Sequence, residues 1–176
     1  MDFGYCCSCC YNYGKKIIQA VNKQHNSKLD ADSETTTKNN KLNDQEKEPA
    51  KNFKYGLYSA SYNGCETIAV HNAKCMLGMD TSLSAVIDDF HTTWATFGIS
   101  GVFGANPYSI GRVLSRNGIE YERVSADEMN KSGIYIVSFW NQNAFTGLHT
   151  IAVKYDGVEY TEYNNYGDDF DPNSLG

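Results

Sequence analysis

Ser61-Tyr62-Asn63-Gly64-Cys65-Glu66-Thr67-Ile68-Ala69-Val70 is a polar turn that runs directly into an apolar helical pattern, with one cysteine at the junction. A helix that starts there presents unsatisfied backbone N–H groups and the positive end of its dipole to the first side chain. Both favour thiolate over thiol, so Cys65 is read as a nucleophile. Such a nucleophile needs a base, a group that orients the base, and hydrogen-bond donors for an oxyanion.

Outward from this stretch, Tyr55-Gly56-Leu57-Tyr58 leads into the turn, and Ile68, Ala69, Ala73, Cys75, Met76 and Leu77 mark one helical face stopped at Gly78. A second helix, capped by Asp80 or Thr81, places Leu83, Val86, Ile87, Phe90, Trp94 and Phe97 on a core face. The glycines of 101–104 have no lysine to complete a phosphate loop. Asn106-Pro107 caps a third helix with Ile110, Val113 and Leu114 inward, closed by Asn117-Gly118. Ile119 to Val124 reads as a strand, and Ser125 to Glu128 has capping-box spacing. Ile134 to Trp140 is a nearly unbroken apolar run, as expected of a central strand covered on both faces. Leu148 to Tyr155 and Val158 to Tyr163 flank the hairpin signal Asp156-Gly157. Helices first and antiparallel strands last predict an α+β fold, helices packed on a C-terminal antiparallel sheet.

Composition divides the chain at residue 52. Residues 1–50 carry seven lysines and seven acids, so the net charge of −6 belongs wholly to the later part, with eight basic and fourteen acidic side chains. The apolar residues also fall there, which predicts a folded domain over 53–176 and a cysteine-rich head with a disordered linker over 1–52. Within the head, Lys15 to His25 has the pattern of a short helix, marginal by itself. An acidic domain without a basic stripe excludes nucleic acid as the expected partner and suits a peptide or protein substrate. Four of the six cysteines crowd into Cys6 to Cys10, which is no disulfide framework, and no metal or other cofactor is expected. No stretch approaches a membrane span, and the expected compartment is the cytoplasm. The acidic tail after Gly167 is expected to be loose.

A two-residue turn at Asp156-Gly157 makes Tyr155 face Val158, pairs Val153 with Tyr160 and Ile151 with Glu162, and brings His149 opposite Asn164. Directly opposed side chains share a face with Cβ atoms about 4.5–5.5 Å apart. His149 is therefore the expected base and Asn164 its orienter, with Asn165 on the other face. His71 points away from Cys65 along the same helix, His91 falls on the solvent side of the next, and His25 sits at the linker. Cys75, mid-helix on an apolar face, is the internal control. Glu66 reads as a helix-dipole partner or a substrate contact.

The order Cys65, His149, Asn164, with the cysteine at the start of the first long helix and the histidine in a hairpin strand, resembles the papain-like cysteine peptidases. The spacing of 84 residues from Cys65 to His149, and of 15 from His149 to Asn164, is similar to the compact peptidases that trim double-glycine leaders from bacteriocin precursors. Those usually carry aspartate at the third position. The resemblance covers roughly residues 55–166 and implies a papain-like fold and a thiol protease, a hydrolase acting through a thioester. Both groups place an oxyanion-donating glutamine six residues before the cysteine, where this chain has Ser59. The oxyanion donors would then be the Cys65 N–H with Asn63, Ser59 or Ser61, Asn63 preferred. A transglutaminase-like thiol acyltransferase and a catalytically inactive peptide-binding domain are the alternatives.

Overall fold

The computed structural model describes residues 16–21, 39–47, 49–95, 104–140 and 148–165. The Cys6 to Cys10 cluster, His25, the glycines of 101–103, Phe97 and the tail after 165 lie outside the described residues. The chain is α+β. Its strands and helices are β1 (Lys16–Val21), β2 (Lys54–Tyr55), β3 (Tyr58–Ser59), α1 (Ala60–Asn63), α2 (Cys65–Met76), α3 (Leu83–Thr92), α4 (Ile110–Arg116), β4 (Glu120–Val124), β5 (Gly133–Trp140), β6 (Leu148–Tyr155) and β7 (Tyr160–Tyr163). Five strands form one antiparallel sheet in the order β4-β1-β5-β6-β7.

The order of helices before strands is corrected at the first element. Lys16 to Val21 forms a strand and not a helix, pairing with β4 on one side and β5 on the other. The β-branched Ile17, Ile18 and Val21 favour a strand, and a helix of that length has no stability of its own. The expected linker is corrected too. Leu42 and Ala50 enter the main core at 6% and 0% exposure, so the packed unit begins before residue 53. Leu42 N–H donates to Asn72 Oδ1 at 2.7 Å and its carbonyl accepts from Asn72 Nδ2 at 2.8 Å, which anchors 39–47 to α2.

α2 is buried along nearly its whole length and packs on β5 and β6 through a core that includes Ile68, Ala69, Ala73, Ile134, Ile136 and Ala152. Gly64 separates it from α1, and a Cβ there would lie 2.6 Å from Ala60 O, so only glycine permits this junction. Gly78 ends the helix at φ +71°, as expected. α3 is capped by Ser82, whose hydroxyl accepts from Ala85 N–H, in place of Asp80 or Thr81. It stops at Thr92, because Trp94 takes φ +55° and is 86% exposed, so Trp94 does not belong to the core face. Leu83, Val86, Ile87 and Phe90 do. The Asn106 cap, the inward face of α4 and the Ser125–Glu128 capping box all form as read.

β5 is covered on both faces. Ile134 and Ile136 face the helices, whereas Tyr135, Val137 and Phe139 join Ile151, Val153 and Met129 in a second core beneath the sheet. The β6–β7 connection is four residues long and not two: Tyr155 faces Tyr160, and Ala152 faces Tyr163. Asp156 causes this, since its carboxylate accepts from the N–H groups of Val158 and Glu159 at 2.8 and 3.0 Å and closes a wider turn. Among the described residues no helix is long and apolar enough to cross a membrane.

Candidate active site

Cys65 is the first residue of α2 and is 7% exposed. Its Sγ donates to Glu66 Oε2 at 3.3 Å and lies 3.9 Å from the carbonyl of Leu148, the residue before His149. The helix therefore delivers the sulfur to the first residues of β6. The expected thiolate is corrected, however. Burial pushes the Cys65 thiol well above its ordinary value, the Glu66 charge and hydrogen bond add to this, and Thr150 N–H and hydroxyl pull the other way. A helix N-terminus favours the anion by a modest amount, and a carboxylate in contact within a dry site outweighs it. Glu66 is itself pushed up to about 7 by burial, against hydrogen bonds from its own N–H, from Cys65 and from Ala105 N–H. The fully buried Tyr55 lies within the electrostatic reach of both, and its hydroxyl has no hydrogen-bond partner among the described residues.

His149 is 6% exposed, and its ring packs edge-on against Phe139 at 5.6 Å between centroids. Strand alternation puts it with Ile151 and Val153 on the face away from α2, whereas Thr150 and Ala152 face the helix. Among the described residues the contacts of Cys65 Sγ go to Glu66, Leu148 O and Thr150 in place of the expected hydrogen bond to His149. His149 and Asn164 do meet, but not side chain to side chain. The His149 Nε2 lies 2.7 Å from the backbone carbonyl of Asn164. A carbonyl only accepts, so Nε2 carries a proton in this contact.

Asn164 is fully buried, and its φ of +69° turns its carbonyl toward the imidazole. Its amide is used by Gln45: Gln45 N–H donates to Asn164 Oδ1 at 2.8 Å, and Asn164 Nδ2 donates to Gln45 Oε1 at 3.1 Å. Gln45 Nε2 donates onward to Ser61 O at 3.2 Å, in α1 just ahead of Cys65. Asn165 bonds Glu162. Of the expected oxyanion donors, Ser59 and Ser61 are 2.6 Å apart, hydroxyl to hydroxyl, and Asn63 has a buried amide oxygen. His71 bonds Asn40 O at 3.0 Å and lies 3.6 Å from Cys75 Sγ, away from Cys65 as read. His91 is exposed.

Gln45, Thr150 and Tyr55 are the residues the sequence reading did not place here. Thr150 was within reach of the alternation argument, since the parity that groups His149 with Ile151 sends Thr150 toward α2. Gln45 carries no local signal, being one amide in a polar run. Comparison with protein-family models, with curated proteins and with solved structures finds no match.

Proposed function

We propose that this chain is a papain-like cysteine peptidase in which Cys65 is the nucleophile, His149 the base and Asn164 the group that orients it. What supports the reading is the convergence at the start of β6, where Cys65 Sγ lies against Leu148 O and the next residue's imidazole donates to Asn164 O. Three residues separated in sequence share one end of the sheet, and the imidazole is held by a donor bond from Nε2. In the proposed reaction His149 takes the thiol proton as sulfur attacks a peptide carbonyl. The tetrahedral intermediate expels the amine, which receives that proton, and water then hydrolyses the thioester with His149 again as base. This requires the thiol to exchange Glu66 for the His149 imidazole as its partner while Nε2–H stays on Asn164 O.

A second reading, a peptide-binding domain of the same kind without hydrolysis, is favoured by the thiol's raised affinity for its proton and by its contact with Glu66. One experiment separates the two. Peptide hydrolysis followed by amine release, together with covalent capture by a peptide aldehyde, is measured for the full chain and for Cys65→Ala. The peptidase reading expects both signals and their complete loss in the variant. Peptide binding retained in Cys65→Ala, with neither signal in the parent chain, would instead establish the binding domain. Added amine diverting the acyl product would reassign the enzyme as an acyltransferase.

A further inference from the structure

We infer that Gln45 is a positioning residue of this site, fixing through Asn164 which nitrogen of His149 carries the proton. Its catalytic consequence rests on the role proposed for His149, whereas the tautomer claim rests on geometry alone.

Asn164 sits at φ +69°, a conformation few residues other than glycine adopt without support. The support comes from Gln45. Backbone N–H and side-chain oxygen of this one residue engage both ends of the Asn164 amide, at 2.8 and 3.1 Å. Both residues are buried, at 4% and 0% exposure, so water does not compete for these groups. Held this way, the Asn164 amide cannot be the orienter of the imidazole, and the backbone carbonyl takes that part at 2.7 Å. Gln45 Nε2 donates to Ser61 O and so ties the end of β7 to the turn before Cys65. Gln45 thus bonds both the Asn164 arm and the Cys65 arm of the site. It belongs to the segment whose anchoring to α2 by Leu42 and Asn72 keeps it in place.

The test compares the full chain with Gln45→Met, which keeps the volume and loses the side-chain hydrogen bonds, and with Gln45→Glu, which keeps an acceptor oxygen for Asn164 Nδ2. Long-range proton–nitrogen NMR spectra of the His149 ring report the tautomer directly, and steady-state kinetics on a peptide substrate report its use. The inference expects the Nε2–H form in the parent chain and in Gln45→Glu. It expects a mixed or Nδ1–H form in Gln45→Met, with kcat down about tenfold and KM changed by less than about twofold. Should Gln45→Met keep the Nε2–H form with an unchanged kcat, the role of Gln45 is overturned and the peptidase reading stands. Should the parent chain hydrolyse no peptide, the peptidase reading fails, and the tautomer spectra alone still decide whether Gln45 positions His149.

Discussion

The two cysteines of α2 occupy opposite ends of one helix, and their surroundings reverse what helix position suggests. Cys65, at the N-terminal end where the dipole favours an anion, touches the Glu66 carboxylate. Cys75, near the C-terminal end where the dipole disfavours one, has Lys41 and Lys74 pulling its thiol down against the effect of burial, with His71 Nε2 at 3.6 Å. Both thiols are raised by burial, but only Cys65 is raised further by a neighbouring charge. The difference teaches that contact charges in a dry site rank thiols more strongly than the helix ends do. In this conformation burial and the Glu66 contact both favour the protonated form of Cys65.

The sharpest way to break the comparison is Glu66→Gln, which removes the one charge that distinguishes Cys65. The folded state holds the Glu66 proton up to a pH of about 7, against 4.5 for an ordinary glutamate, so it binds more protons than the unfolded chain between them. Stability from this group is therefore complete below pH 4.5 and is lost as pH rises through 7. The full loss amounts to roughly 3 kcal/mol, and Glu66→Gln should lack it. Urea unfolding of both chains at pH 5 and pH 8 measures this difference, and parallel pH slopes would refute it. The same variant should alkylate faster at Cys65.

This carboxyl–thiol contact also marks how far the sequence could be read. Local signals were legible: the α2 register with its Gly78 stop, the Asn106 and Ser125 caps, the doubly covered β5, and the parity that put His149 and Ile151 on one face. Asp156 announced a turn but not its length, because a side chain that caps two N–H groups widens the loop without altering alternation. What failed was non-local. β1 pairs with residues about a hundred or more positions away, and Gln45 meets Asn164 across 119 residues, and neither contact leaves a trace in its own stretch. His149 and Asn164 associate as the hairpin pairing predicts, but through the Asn164 carbonyl, since Gln45 competes for the amide. Glu66 was visible as the neighbour of Cys65, yet its effect depended on burial, which a helix start in solvent would not have shown.

A smaller effect follows for free thiols in the folded chain. With iodoacetamide at pH 8 and mass-spectrometric mapping of the modified peptides, Cys75 should label about tenfold faster than Cys65, because it is more exposed and less opposed electrostatically. On the proposed peptidase reading, a peptide bearing a vinyl electrophile should reverse the order. Faster iodoacetamide labelling of Cys65 than of Cys75 would show that Glu66 does not restrain the thiol.

The smallest expected effect isolates the other half of the comparison. Lys41 is the cation with the largest pull on Cys75, ahead of Lys74, and its Nζ stands 5.3 Å from the centre of the Tyr163 ring. It is also exposed, unlike Lys74, whose ammonium is buried against Asn117 Oδ1 at 2.8 Å and Asp89 at 3.9 Å. Removing Lys74 would leave a gap at a buried ammonium and take an ion pair from Asp89, whereas Lys41→Gln removes a charge at the surface and a cation–π contact of about 0.5–1 kcal/mol. Cys75 alkylation at pH 8 should then fall about threefold, while Cys65 is unchanged. Salt supplies the control: at 1 M the Debye length is about 3 Å, so the parent chain should approach the variant's rate. A Cys75 rate that ignores both the substitution and the salt would leave burial alone as the determinant of its reactivity, and the contrast between the two ends of α2 would then rest on Glu66.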